Sequence, residues 1–228
     1  MKKRIKAIFF DAGNTLIFIN FKIIKKILED FNVKTSLSDL KESEMKWRTS
    51  LERDIEKLKH LKDQDILPFY FSQILNYLKL NDDTVKSIVD EIISKHRKKM
   101  LWSIFPSSVY KVIKDLRRKG YKIGIISNSD GRLVNQLKSL KVWDLFDLVI
   151  DSREVGVEKP DPEIFRLALK KLKVDPAETV YVGDIYSIDI KPAQKLGIKA
   201  ILFDPGDNQS ELHCPRIRRI KEIFDYLE

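Results

Sequence analysis

Apolar residues follow two different spacings along this chain of 228 residues. Ile5 to Phe10 form a short apolar run that lacks helical spacing and ends at turn-forming residues, which predicts a buried strand. From residue 18 to about residue 102 the apolar positions instead recur with helical spacing, which predicts amphipathic helices. Beyond Pro106 short apolar runs alternate with helical stretches. The pattern therefore predicts a core of strands and helices that a helical segment interrupts after the first strand.

The interrupting segment is predicted to be an all-helical insert. It contains no glycine, and its first and last helices each have an apolar face. These faces consist of Ile23, Ile24, Ile27, Leu28 and Phe31 in the first helix and of Val85, Ile88, Val89, Ile92 and Ile93 in the last. A charged helix near residues 45–61 and an aromatic helix near residues 69–78 are predicted between them. The insert is expected to return to the core near Ser103.

The alternation after Pro106 predicts a parallel sheet that is covered by helices on both faces. Gly120 and Gly197 are expected to end two of its helices. The predicted strands are 121–126, 148–150, 179–182 and 200–203, and the predicted helices are 107–119, 132–140, 162–172 and 188–196. A terminal amphipathic helix is predicted from Ile217, Ile220, Phe224 and Leu227. Together with the first strand, these elements predict a three-layer, Rossmann-like α/β core.

Composition narrows the class of protein. Hydrophobic residues make up 43% of the chain, enough for a sizeable core, and no apolar run reaches the roughly 18 residues that would span a bilayer. No signal-peptide pattern is found and Cys214 is the single cysteine, so a cytoplasmic protein without an internal disulfide is expected. We expect no membrane partner, and either a monomer or a homodimer.

The net charge of +9 favours anionic partners. The basic residues are spread along the chain, and aromatic residues are not interleaved with them in the way that base stacking requires. A small acidic substrate is therefore favoured, and no nucleic acid is expected as a partner.

Four polar side chains follow predicted strands, at the edge where open parallel sheets bind ligands. Asp11 ends the first strand, Ser127 and Asp184 end two later ones, and Lys159 lies in a loop after another. Two carboxylates can share a hard cation such as Mg²⁺, while an ammonium and a hydroxyl can hold phosphoryl oxygens. This set predicts that Asp11 attacks a phosphoryl group and forms an aspartyl-phosphate, which water then hydrolyses.

The same strand ends carry motifs in a fixed order. They are Asp11-Ala12-Gly13-Asn14-Thr15, Ser127-Asn128, Lys159-Pro160-Asp161-Pro162, and Gly183-Asp184 with Asp189 five residues later. This series resembles the motifs of the haloacid dehalogenase-like (HAD) hydrolases that have a helical cap of the C1 type. The resemblance spans nearly the whole chain. It implies a hydrolase core formed by residues 1–17 and 103–228, with residues 18–102 as the cap.

The resemblance also implies roles for individual residues. Asp11 would be the nucleophile, and Thr15 would orient the loop around it. Phosphate binding is assigned to Thr15, Ser127, Asn128 and Lys159. The cofactor would be Mg²⁺, with ligation or support from Asp11, the Gly13 carbonyl, Asp184 and Asp189. The implied substrate is a small phosphorylated metabolite.

Gly13 departs from the family pattern, because most phosphatases of the family have a second aspartate at this position as general acid and base. Such proton transfer typically contributes about 10²- to 10⁴-fold to the rate. Three explanations stay open: a substrate whose leaving group needs little protonation, such as an acyl phosphate; a replacement acid elsewhere; or a catalytically weak binding or regulatory protein. The histidines His60, His96 and His213 lie outside the motifs.

A 2-haloacid dehalogenase is a further alternative, because those relatives also lack the second aspartate. They work without Mg²⁺ and lack the metal aspartate that Asp184 provides here, so the metal-dependent interpretation is favoured. A dehalogenase would need a cationic residue in the insert, and Arg48 and Arg53 are the candidates. The aromatic residues expected to form the core of the insert or line its face are Phe18, Phe21, Trp47, Phe69, Tyr70 and Phe71.

Overall fold

The computed structural model describes residues 4–59, 61 and 63–227, and of residues 53–59 and 63 it describes the main chain alone. Its strands are β1 Ala7–Phe10, β2 Phe18–Ile19, β3 Trp102–Ile104, β4 Lys122–Ser127, β5 Leu148–Asp151, β6 Thr179–Gly183, β7 Lys199–Phe203 and β8 Arg216–Ile217. Its α-helices are α1 Phe21–Asp30, α2 Leu37–Lys59, α3 Asp63–Asn76, α4 Asp82–Lys98, α5 Ser107–Arg118, α6 Leu133–Ser139, α7 Ser152–Val155, α8 Pro162–Leu172 and α9 Lys191–Lys195. Short 3-10 helices cover Trp143–Leu145, Pro176–Glu178 and Ile220–Tyr226, and a π-helical turn covers Tyr186–Ile190.

The chain folds into two compact units. The first comprises Met1–Phe18 and Ser103–Glu228, and the second comprises Ile19–Trp102. The strands β2 and β3, through which the chain passes from one unit to the other and back, pair with each other.

The first unit contains a six-stranded sheet in the order β5-β4-β1-β6-β7-β8, and every neighbouring pair is parallel. β1 lies between β4 and β6, and all four of its residues are fully buried, which explains its continuous apolar sequence. Phe10 is in register with Ile125 and Val182. The residues that follow these three strands therefore meet at one edge of the sheet.

Helices cover both faces of this sheet. Ala7 and Phe9 of β1 point into a core that α8 and α9 complete with residues such as Phe165 and Ala193. The alternate residues of β1 point to the opposite face, where α5 packs against β4 and against the C-terminal 3-10 helix. The predicted α/β fold with a parallel, helix-covered sheet is confirmed.

The second unit is built from α1 to α4. α3 packs against α2 and α4, while α1 packs against the same two helices. The apolar faces predicted for α1 and α4 are largely buried, although Phe31 at the end of α1 is 37% exposed. Trp47 and Phe71 are buried, as expected for core aromatic residues, and Trp47 meets Phe69 edge-on with ring centroids 5.7 Å apart.

Two predicted helices begin earlier in the structure than in the prediction. α2 begins at Leu37 rather than near residue 45, because Ser36 and Asp39 form a reciprocal cap in which each backbone N–H donates to the other side chain. The aromatic pattern predicted a helix near residues 69–78, which begins after Pro68. In the structure α3 begins at Asp63 and contains Pro68.

The predicted terminal helix is wrong in part. Ile217 lies in β8, which adds a sixth parallel strand beside β7, and the chain then continues as a 3-10 helix. Main-chain pairing fixes this strand, because Leu202 N–H donates to the Pro215 carbonyl and Asp204 N–H donates to that of Ile217. Periodicity alone does not reveal a pairing over this sequence distance.

None of the helices in the described part of the chain combines the length and the apolar character that a membrane span requires.

Candidate active site

Asp11 follows β1 at the carboxyl edge of the sheet. Its backbone N–H donates to the Val182 carbonyl at 2.8 Å, so the ladder between β1 and β6 extends to this residue. The residue is only 7% exposed. Burial raises the pKa of Asp11 to about 6; Asp189 adds to the rise, while the Lys159 ammonium and the Ala12 amide oppose it.

Lys159 reaches this carboxylate from the loop before α8. Its Nζ atom lies 2.6 Å from Asp11 Oδ1 and 2.7 Å from Asp189 Oδ1, and the residue is 3% exposed. Burial opposes the charged form, but the two carboxylates outweigh it and raise the pKa of Lys159 above its usual value. The site therefore holds a permanently charged ammonium beside Asp11.

Asp189 is the most enclosed carboxylate of the edge, at 1% exposure. Besides the ion pair with Lys159, its Oδ2 atom accepts a hydrogen bond from Ile185 N–H at 3.0 Å. A Cβ atom on Gly183 would lie 2.4 Å from the Asp189 Cγ atom. Only glycine at position 183 leaves room for Asp189 in this place.

Tyr181 completes the cluster and was not foreseen from the sequence. It lies in the centre of β6, is fully buried, and its hydroxyl donates to Asp189 Oδ1 at 2.8 Å. Burial, with Asp189 and Asp11 adding to it, raises the pKa of Tyr181 well above its usual value, so the phenol keeps its proton. A tyrosine within an otherwise aliphatic buried strand was the available signal, because a buried phenol needs a hydrogen-bond partner.

Ser127 ends β4, Asn128 follows it, and the two side chains form different hydrogen bonds. The Ser127 hydroxyl is buried, and the one hydrogen bond described for it is a long one of 3.5 Å to the Asn128 carbonyl. The Asn128 amide, in contrast, donates to the Lys159 carbonyl and accepts from the Lys159 N–H, both at 2.8 Å. Asn128 therefore braces the main chain of Lys159.

The loop after Asp11 is a tight turn closed by its own main chain. The N–H groups of Leu16 and Ile17 donate to the Ala12 carbonyl at 3.0 and 2.8 Å, and Asn14 N–H donates to the Ile17 carbonyl at 2.8 Å. Asn14 has a φ of 56°, in the left-handed region. Thr15 is fully buried inside the turn, and its Oγ1 atom has no hydrogen-bond partner among the described residues.

The charges at this edge suit a cation. Asp184, which follows β6, is 7% exposed, so this edge carries three buried carboxylates (Asp11, Asp184 and Asp189) and one buried ammonium, that of Lys159. In the described chain no three His, Cys, Asp or Glu side chains converge closely enough to hold a metal by themselves. Mg²⁺ typically takes one or two carboxylates and completes its shell with carbonyl oxygens and water. The carboxylates at this edge fit that requirement in type and number.

The candidate residues of the helical unit have partners within that unit. Arg48 lies 3.7 Å from Glu44, whose carboxylate also accepts from the Tyr70 hydroxyl at 3.1 Å. Burial raises the pKa of Glu44, while Arg48 and Tyr70 oppose the rise. His96 is buried and accepts from Leu101 N–H at 3.4 Å. His60 and the side chain of Arg53 lie outside the described residues, and His213 lies in the loop before β8.

A parallel sheet with buried aspartates and a lysine at its carboxyl edge defines a class of hydrolase, and comparison with known proteins identifies the family. Residues 5–197 match the haloacid dehalogenase-like hydrolases. The chain belongs to this family and is a hydrolase.

Relatives of the chain include phosphatases. The glyceraldehyde 3-phosphate phosphatase of Pyrococcus furiosus is 30% identical over 99% of this chain and 89% of its own length. The protein of the same name from Methanocaldococcus jannaschii is 38% identical over 67% of this chain and 73% of its own length. The haloacid dehalogenase-like hydrolase domain-containing protein 3 of mouse is 34% identical over 62% of this chain, which spans 59% of that protein.

Solved structures share the fold. A HAD hydrolase of Bacillus subtilis bound to magnesium aligns over 99% of this chain and 100% of its own, with a TM-score of 0.70 and 19% identity. A HAD phosphatase of Thermococcus onnurineus aligns over 98% of both chains, with a TM-score of 0.62 and 24% identity.

Proposed function

We propose that this chain is a Mg²⁺-dependent phosphatase that hydrolyses a small phosphorylated metabolite through an aspartyl-phosphate on Asp11. The observation that carries the proposal is the distance of 2.6 Å between Lys159 Nζ and Asp11 Oδ1 at a buried sheet edge. It puts a cation that can hold an anionic group beside the carboxylate that would attack it. The phosphatases among the relatives support the same class of reaction.

The side chains divide the reaction between them. An Asp11 carboxylate oxygen attacks phosphorus, and the bond from phosphorus to the leaving oxygen breaks with its electron pair staying on that oxygen. The other phosphoryl oxygens are bound by the Ser127 hydroxyl, which is held only by a long bond, and by the Lys159 ammonium, whose N–H now bonded to Asp11 turns to the substrate. Water then attacks phosphorus, which releases inorganic phosphate and restores Asp11. Asn128 acts indirectly, by bracing Lys159.

Mg²⁺ would be held by Asp11, Asp184 and the Gly13 carbonyl. When bound, it supplies positive charge that screens the attacking carboxylate from the anionic phosphoryl group. Asp189 would support this arrangement rather than ligate, because both of its oxygens already accept hydrogen bonds from the protein.

Gly13 limits the leaving groups that the site can expel. An alkoxide leaves poorly without a proton donor, whereas the carboxylate of an acyl phosphate leaves without one. Thr15, in the same turn, has no titrating proton to offer, and the Lys159 ammonium is bound to two carboxylates. We therefore expect acyl phosphates to be hydrolysed faster than alkyl phosphates by the parent chain.

Glyceraldehyde 3-phosphate is the first alkyl phosphate to test, because relatives are named for it. Phosphate release should be measured on this compound, on acetyl phosphate and on a panel of phosphorylated metabolites, with and without Mg²⁺. Asp11→Asn is the test variant. Asp175→Asn is its matched control, because Asp175 begins the 3-10 helix before β6, away from the edge.

Mg²⁺-dependent release that disappears in Asp11→Asn and persists in Asp175→Asn is the expected result. Turnover that survives in Asp11→Asn would contradict the nucleophile. Release of halide from 2-haloacids without metal would instead establish a dehalogenase, and phosphate binding without any turnover would establish a binding protein.

A further inference from the structure

The hydroxyl of Tyr181 joins the two charged residues that surround Asp11. Lys159 Nζ donates to this hydroxyl at 3.0 Å, and the hydroxyl donates to Asp189 Oδ1 at 2.8 Å. The ring packs edge-on against Phe165 with centroids 5.1 Å apart, so the phenol has a fixed direction. A fully buried tyrosine thus places one polar atom between an ammonium and a carboxylate.

The ammonium of Lys159 has three N–H donors, and the protein uses all of them. Their acceptors are Asp11, Asp189 and Tyr181. A lysine side chain is long and flexible, so the direction of its ammonium is set by its bonds rather than by its stem. Each acceptor restrains rotation about the Cε–Nζ bond, and the Tyr181 oxygen keeps a restraint on the ammonium when the bond to Asp11 is given up.

The third acceptor is itself held rigidly. Tyr181 lies in the middle of the sheet, and β6 pairs with β1 and β7 on its two sides. Its partner Asp189 is fixed independently by Ile185 N–H and by the close approach to Gly183. The sheet, and not only the loop that carries Lys159, therefore sets the position of the ammonium.

We propose that Tyr181 is a positioning residue, whose hydroxyl is held by Asp189 and orients the Lys159 ammonium for binding the phosphoryl group beside Asp11. The inference rests on the proposed function for its effect on turnover. Its effect on anion affinity does not depend on turnover, because inorganic phosphate needs the same ammonium. If Tyr181 only filled the core, phenylalanine would replace it without consequence at the site.

Tyr181→Phe tests the proposal, since it keeps the contact with Phe165 and removes one oxygen. The matched control is Tyr226→Phe, which removes a hydroxyl bonded to the Arg216 carbonyl at 3.2 Å elsewhere in the same unit. Calorimetry with inorganic phosphate and Mg²⁺ should show an affinity about tenfold or more weaker in Tyr181→Phe, as for the loss of a hydrogen bond to a charged group. The control should bind phosphate like the parent chain.

Kinetics on the substrate that the parent hydrolyses best provide the second readout. We expect kcat to fall about ten- to hundredfold in Tyr181→Phe, and we expect no further loss when the same change is added to Lys159→Met. Equal affinity and equal kcat in Tyr181→Phe and Tyr226→Phe, or an additive loss on Lys159→Met, would overturn the proposal. A parent chain that binds phosphate but hydrolyses nothing would refute the proposed function, and the affinity difference alone would then decide the role of Tyr181. A parent chain that does not bind phosphate would overturn both.

Discussion

The two sides of the sheet edge around Asp11 differ in how completely their side chains are bonded. On one side Lys159, Asp189 and Tyr181 form a closed network of charged hydrogen bonds. On the other, the turn after Asp11 is closed by its own main chain and presents Gly13, which has no side chain, at the position where the family resemblance implies an aspartate for most phosphatases. The charged groups on the first side are therefore held in fixed places, while the turn has no side chain at position 13 that could carry a proton.

Restoring the missing acid should have the largest effect on this imbalance. Gly13→Asp should raise the turnover of glyceraldehyde 3-phosphate by about 10²- to 10⁴-fold, because a carboxyl group would protonate the leaving alkoxide. Gly13→Asn, with a side chain of the same size that cannot transfer the proton, should give no such gain. An unchanged rate in Gly13→Asp, despite an unchanged fold, would show that another group already supplies the proton.

Removing the Lys159 ammonium tests the side of the edge on which the charged groups are bonded to one another. Lys159→Met should lower the free energy of unfolding by about 3 to 5 kcal/mol, because two buried carboxylates lose their partner. Lys6→Met is the control: Lys6 forms an ion pair of similar length with Glu178 but is itself exposed, so its loss should change little. Urea unfolding measures both. Equal losses in the two variants would refute the special role of burial.

The pKa of Asp11 predicts a pH dependence with a definite sign. Because this pKa is about 6 in the fold and 3.8 in the unfolded chain, the folded state holds the proton between these values and loses stability as the pH rises through them. With metal chelated, the free energy of unfolding of the parent minus that of Asp11→Asn should fall by roughly 3 kcal/mol from pH 3.5 to 7. Every other group titrates in both proteins, so a difference that stays flat would contradict the raised pKa.

The smallest expected effect on kcat is tested by alanine substitutions at two buried glycines, Gly183 and Gly124. An added Cβ would meet Asp189 in the first case and the Phe9 ring at 2.5 Å in the second. Both alanine variants should lose about 1 to 3 kcal/mol of stability from overpacking. Only Gly183→Ala should also lower the kcat of the folded protein, by about tenfold, since it displaces a carboxylate that holds Lys159. Equal kcat values in the two variants would show that the position of Asp189 does not affect turnover.

Local pattern was sufficient to predict the layered fold. The apolar run of β1 and the alternation after Pro106 predict a buried parallel sheet, since each depends on neighbours in sequence and on burial of both faces. β8 was missed because two residues carry too little periodicity, and pairing with β7 decides their conformation. The early start of α2 depends on the reciprocal cap formed by Ser36 and Asp39, which an apolar pattern does not register.

The candidate site residues were predictable as positions at or after strand ends, and the roles expected of them came from the family resemblance. The structure brings Lys159 within hydrogen-bond distance of Asp11 and Asp189, although 148 and 30 residues separate these pairs in sequence. The sequence does not show which side chains form hydrogen bonds with one another at this edge. Asn128 is used on the main chain of Lys159, and Tyr181 joins the network from inside the sheet. Both depend on distances between strands that no local spacing encodes.

Trapping tests the proposed covalent intermediate on Asp11 most directly. The chain is mixed with acetyl phosphate and Mg²⁺, quenched and digested with pepsin in acid without any reduction step, and the modified peptide is identified by mass spectrometry. We predict one phosphoryl group on Asp11 in the parent chain and none in Asp11→Asn. A phosphoryl group on another residue, or phosphate release without any label on Asp11, would contradict Asp11 as the nucleophile.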